Sequence, residues 1–187
     1  MIKTDRYVEC SAAGMKYRLI PVTDEIIRCM IAKDEVKTEQ ESLIIEKKEY
    51  PQVPFEAAEA DEVVTVKTSA VQAELNLKTG GITWKHADGS VWLEQNKADL
   101  TRIDVVHYNT GGEKPIINRV KTVDGERNFI QNLKAEKIRD GYRARVFFDW
   151  KEDEEIHGLG QAEEGIYNYR EHTQYLYQHN MRIPMPM

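Results

Sequence analysis

From Val71 to Lys78 the chain alternates without a break. Val71, Ala73, Leu75 and Leu77 are apolar, while Gln72, Glu74, Asn76 and Lys78 between them are polar. Period two puts successive side chains on opposite faces of a strand. A strand of this kind is dry on one face only, which is the pattern of antiparallel sheets. Thr79-Gly80-Gly81 ends the run, glycine tolerating the positive φ of a tight hairpin. Ile82-Thr83-Trp84 returns, Ala87-Asp88-Gly89-Ser90 turns again, and Val91-Trp92-Leu93 makes a third run. The segment reads as a meander.

The same logic extends along the chain. Lys134 to Ile138 leads into Arg139-Asp140-Gly141, and Asp-Gly is a strong turn signal. After it Tyr142, Ala144, Val146, Phe148 and Trp150 alternate with Arg143, Arg145, Phe147 and Asp149, so a second hairpin with a core-facing side is expected. Arg6–Cys10, Met15–Val22, Glu25–Ala32, Leu43–Glu46, Val63–Val66, Leu100–Tyr108 and Ile116–Val123 are further strand candidates. Asp34–Lys48 reads as a charged loop leading into a strand, and Glu56–Glu62 as one helical turn. Many short strands punctuated by Gly, Asp and Asn predict an all-β antiparallel sandwich. With 187 residues and no interior linker, one domain spanning 1–187 is expected.

Composition closes off several functions. The net charge of −6 repels phosphate backbones and no Lys/Arg cluster offsets it, so nucleic-acid binding is not expected. No run of about 18 apolar residues predicts a membrane span. Met1 to Arg6 has no hydrophobic leader, which leaves cytoplasmic and periplasmic locations both open. Cys10 and Cys29 make no disulfide framework and read as small buried hydrophobes. Neither has metal-ligand spacing around it, so no metal and no cofactor are expected.

The residues with the most chemistry are the last 32. Ile156 to Met187 hold four of the nine tyrosines, three of the five histidines and three of the six methionines. Aromatic rings, amides and carboxylates interleaved in this way suit a sugar-contacting surface, since a sugar offers hydroxyls around an apolar C–H face. Tyr175, Tyr177, Gln178, His179 and Asn180 have those chemistries; packing against another domain is their alternative reading. Gly158 and Gly160 lie in His-Gly-Leu-Gly, which is no nucleotide-binding loop and reads as a backbone bend. Asn168 and Arg170 would tie the loop down by hydrogen bonds. Glu152-Asp153-Glu154-Glu155 reads as a hydrated acidic turn, and Glu163-Glu164 sits among aromatics.

In order, these pieces are Asp153-Glu154-Glu155-Ile156-His157-Gly158-Leu159-Gly160-Gln161, then Gly165, Asn168-Tyr169-Arg170, Gln178-His179-Asn180 and Ile183-Pro184-Met185-Pro186. That order resembles the end of the N-terminal domain in glycoside hydrolase family 31, the α-glucosidase and α-xylosidase family. The resemblance is strong over about 145–187 and weaker back to Glu62. It departs at His157, where an aromatic residue is usual, and at Glu171, where glycine often follows the arginine.

The resemblance implies a galactose-mutarotase-like sandwich (a supersandwich) packed on a catalytic (β/α)8 barrel. It implies that 156–187 connects to a barrel absent from this chain, and that a loop of the domain helps wall the substrate pocket. The family's nucleophile and acid are aspartates on the barrel, the nucleophile in a Trp-x-Asp-Met type motif. No such motif occurs here, so the chain alone is expected to be inactive. The expected partners are an α-glucoside or α-xyloside held together with the barrel, and self-association through the tail. Two other functions remain open from sequence: a free-standing carbohydrate-binding sandwich, and an aldose mutarotase using a histidine and a glutamate.

Overall fold

The computed structural model describes residues 1–36, 50–123, 125–161, 164–178 and 183–185. The expected Leu43–Glu46 strand and most of the charged loop before it lie outside those residues. The described residues contain strands and turns and no helix. They divide into two units, Met1–Phe148 and Asp149–Met187.

The first unit is a two-layer antiparallel sandwich. One layer has four strands in sequence order: β1 (Ile2–Lys3), β2 (Val8–Ala12), β3 (Met15–Thr23) and β4 (Ile26–Ala32). Ala12 pairs with Met15 across a two-residue turn, Ala13-Gly14, with both φ angles positive (49° and 73°). That geometry matches the right-handed twist of the strands it joins.

The other layer comprises β5 (Glu56–Ala60), β6 (Val63–Lys67), β7 (Val71–Asn76), β8 (Ile82–His86), β9 (Val91–Asn109) and β12 (Lys134–Phe148), in the order β12-β9-β8-β7-β6-β5. Between β9 and β12 the chain forms a separate hairpin of β10 (Ile117–Thr122) and β11 (Gly125–Ile130).

The core lies between the two layers. Val8, Ala12, Tyr17, Leu19 and Ile27 from the four-stranded sheet are buried with Val64, Val66, Ala73, Leu75 and Ile82 from the other. On β7 the alternation read from sequence is the observed one, with Ala73 and Leu75 fully buried. Backbone and side-chain hydrogen bonds also cross between the layers. The Tyr17 hydroxyl donates to the Gly80 carbonyl at 3.1 Å, the Ala13 N–H to Leu77 O at 3.0 Å, and the Thr68 hydroxyl to Asp24 O at 2.5 Å. Burial pushes the Tyr17 phenol up to about 12, so it stays a donor at any physiological pH. Cys10 and Cys29 are unpaired thiols on β2 and β4, on either side of β3. Burial raises both, Cys29 to about 12.

Three expectations fail. Asp140-Gly141 is not a turn, because β12 runs unbroken from Lys134 to Phe148 against β9. Its pairing is irregular at two places, between Lys137 and Arg139 and between Phe147 and Phe148. Glycine is needed at 141 for space rather than for a turn: a Cβ there would meet Val105 Cγ2 at 2.7 Å.

The apolar side of this strand is not core. Tyr142 is 42% exposed, and Val146 and Phe148 are 49% exposed. β12 is the edge strand, and the buried residues opposite the four-stranded sheet come from β6, β7 and β8.

Glu56–Glu62 is not helical. Glu56–Ala60 pairs with Val63–Lys67 through a tight turn at Asp61-Glu62, both at positive φ (51° and 62°). Pairing with a buried valine strand overrides the local helix preference of Glu and Ala.

Candidate functional site

The tail unit begins with the acidic run, and Arg170 organises it. Its Nη1 donates to the carbonyls of Lys151, Glu152 and Glu154 at 3.1, 2.7 and 3.0 Å, and its guanidinium lies 5.7 Å from the centre of the Trp150 ring. The Nη1 nitrogen carries two hydrogens, so the three carbonyls share them. Asn168 Oδ1 accepts the N–H groups of Ile156 (3.2 Å) and Arg170 (3.0 Å), and the Tyr169 N–H donates to Ile156 O at 2.8 Å. Segment 151–157 is thereby laid against 167–170.

His157 closes the same contact. Its Nδ1 is 2.9 Å from Tyr167 O and its Nε2 is 2.9 Å from Glu155 Oε2. Both neighbours are acceptors, so both bonds form only when the ring carries two protons. The Tyr167 carbonyl, and then the Glu155 carboxylate, raise the His157 pKa above its usual 6.5. The imidazole and Tyr167 rings are 4.5 Å apart and tilted by 47°.

Past His157 the backbone turns left-handed three times running: Gly158 at φ +88°, Leu159 at +58° and Gly160 at +106°. For leucine this is costly, about 1–3 kcal/mol, and such strain is held only where the surroundings enforce it. They do so at Gly160. β13 (Gly160–Gln161) pairs with β14 (Ile183–Pro184), and a Cβ on Gly160 would meet Ile183 O at 2.0 Å. The Met185 N–H also donates to Leu159 O at 3.1 Å.

This bend leaves a cleft of about 320 Å³ lined by His157, Gly158, Gly160, Gln161, Ile166, Tyr167 and Tyr169. Tyr169 is buried and anchors the wall, while Tyr167 is 81% exposed. A ring, an amide and an imidazole around an open hollow can accept a polyol; among the described residues no carboxylate lines it.

The residues expected from sequence separate here. Gly158 and Gly160 form the bend; Asn168 and Arg170 make the hydrogen bonds just described. Tyr175 and Tyr177 are exposed with their rings edge-on at 6.3 Å, and Gln178 is exposed; none of the three lines the cleft. His179, Asn180 and Glu163 lie outside the described residues. Ile166 and Tyr167 line the cleft without standing out in the sequence, and Gln161 and Tyr169 stand there only within the ordered motif pieces. The signal present was the alternation of Tyr167 and Tyr169 about Asn168. Among the described residues no group of three or more His, Cys, Asp or Glu stands as a metal site, and no helix is long and apolar enough to cross a membrane.

No protein-family model matches the sequence. Against solved structures the chain is similar over 100% of its length to the crystal structure of the GH31 α-xylosidase from Xanthomonas citri, with a TM-score of 0.70 and 20% identity. Its fold is that of a segment of an α-xylosidase. The chain spans 17% of that protein's length. At this identity the likeness carries the all-β architecture, a β domain of the kind found within a glycoside hydrolase, and leaves the chemistry to other arguments.

Glu171 also has a left-handed backbone, with φ at +64°, a conformation that glycine takes without cost.

Proposed function

We propose that this chain is the non-catalytic N-terminal β-sandwich domain of an α-glycosidase acting on α-xylosides or α-glucosides. In this reading its tail packs on a catalytic barrel and walls part of the sugar pocket. The observation that carries the reading is the whole-chain fold likeness to a segment of an α-xylosidase. The ordered Gly-Leu-Gly-Gln, Asn-x-Arg and Ile-Pro pieces support it.

The chemistry of the tail agrees with a supporting role. Retaining hydrolysis needs two carboxyl groups about 5–5.5 Å apart across the bond. Here the Glu155 carboxylate is held by His157, and the Glu154 carboxylate accepts the Lys151 N–H. Exposed Tyr175 and Tyr177 offer ring faces to a sugar or to a barrel surface.

The test is kinetic, in the full polypeptide encoded by the gene that carries this chain. Tyr175→Ala and Tyr177→Ala are expected to raise KM for p-nitrophenyl α-xyloside or α-glucoside several-fold while kcat falls less. Unchanged KM and kcat in both variants would remove the pocket-wall role. Loss of folded protein in both would assign the two tyrosines to packing.

A further inference from the structure

The sandwich unit has an aromatic cluster that the tail reading does not use. Trp84 and His86 lie on the inner face of β8, paired in register with Ala73 and Val71. Trp92 on β9 sits at the irregularity between the Trp84 and Lys85 pairings, and its ring reaches both: 6.5 Å from Trp84 at 52° and 6.1 Å from His86 at 34°. Trp84 packs against the core, whereas His86 is exposed and Trp92 is 46% exposed. The group stands where the core gives way to solvent, beside the polar turn Ala87 to Ser90.

We infer that Trp92, backed by Trp84 and flanked by His86, is a stacking site for a neutral saccharide. Area is the first argument. A large aromatic side chain buries about 150–250 Å², so the bare part of Trp92 is roughly 100 Å², close to one face of a pyranose ring. A stable protein interface takes about 800 Å² from each partner. Support of the indole is the second argument: Trp84 and His86 lie against the ring at 6.5 and 6.1 Å while nearly half of the side chain stays exposed, so a partly held ring loses little freedom on binding.

Charge is the third. A braced aromatic could equally stack a nucleobase, but Asp88 lies in the adjoining turn. The Ser90 side chain and N–H hold its carboxylate below the usual range, and the whole chain carries −6. A phosphate would be repelled, whereas a sugar gains hydrogen-bond partners in His86, Asp88 and Ser90. The inference goes beyond the pocket-wall reading and depends on it only for the choice of probes.

Two of the three tryptophans are in this cluster, so fluorescence reports on it directly. The chain is titrated with maltoheptaose and with xyloheptaose, each up to millimolar concentration. The expected result is a saturable change in tryptophan emission with at least one of them. Trp92→Ala should weaken binding at least tenfold, and Trp150→Phe should leave it in place. Trp92 is half bare, so the alanine variant should remain folded, and circular dichroism checks that it does. No response to either sugar overturns the site, as does binding of unchanged affinity by folded Trp92→Ala. Stronger binding of AMP than of either sugar overturns the assignment to a saccharide. None of these outcomes bears on the kinetics of Tyr175 and Tyr177, so the two readings fail separately.

Discussion

His157 is the residue where the chemistry of the tail is most exposed to measurement. Both its ring nitrogens face acceptors, so the protonated ring holds 155–157 to 167 and the neutral ring must release one of the two bonds. Its folded pKa is raised. The stabilisation is therefore complete below the unfolded value of 6.5 and is lost as pH rises through the folded pKa. An NMR titration of the His157 ring should give a midpoint above 6.5, and protection of the Tyr169 amide should fall over the same interval. In His157→Phe, which keeps a ring but removes both ring nitrogens, Tyr169 protection should become independent of pH there. A His157 midpoint at or below 6.5 would contradict the latch.

Little of this was legible in the sequence. The composition of 156–187 marked the segment as chemical, and Gly158, Gly160, Asn168 and Arg170 stood out by type and spacing. The joining of residues 155–157 to 167–169 depends on three successive left-handed residues, one of them a leucine, and no local propensity predicts that. Tyr175 and Tyr177 drew attention by chemistry alone. Their rings meet each other rather than the cleft.

Among elements, β12 teaches the most. Its alternation named a face but not what would cover it, because burial depends on where the strand falls in the sheet. As the edge of the six-stranded layer it leaves Tyr142, Val146 and Phe148 half bare. Asp140-Gly141 gave a turn signal inside a continuous strand, since the same dipeptide serves a hairpin or a close approach of side chains. Gly141→Ala tests which holds. It would drive a methyl into Val105, at about 1–3 kcal/mol, and should lower the urea midpoint. Gly141→Ala together with Val105→Ala should recover part of that loss. A hairpin turn would show no such coupling. The elements that read correctly include β3, β4, β6, β10 and the β7–β8–β9 meander; apart from the exposed β10, each contributes residues to the covered core or packs beside it. β1, β11 and β13 were missed: β1 and β13 are two residues each, and β11 is largely polar.

At the scale of the whole molecule, the sandwich follows from period-two patterning alone. Two sheets meet over a core that Tyr17, Leu19, Leu75 and Ile82 dominate. The β10–β11 hairpin is exposed almost throughout, and the β9–β12 ribbon bares large apolar side chains. Tyr108, Ile138, Tyr142, Val146 and Phe148 are among them. The fold does not give the activity, and the likeness to an α-xylosidase segment carries the β architecture alone. The most direct measurement is release of p-nitrophenol from p-nitrophenyl α-xyloside and α-glucoside, run in parallel on the isolated chain and on the full polypeptide its gene encodes. The account predicts turnover by the full polypeptide and none by the isolated chain. Turnover by the isolated chain, or by neither, would contradict it.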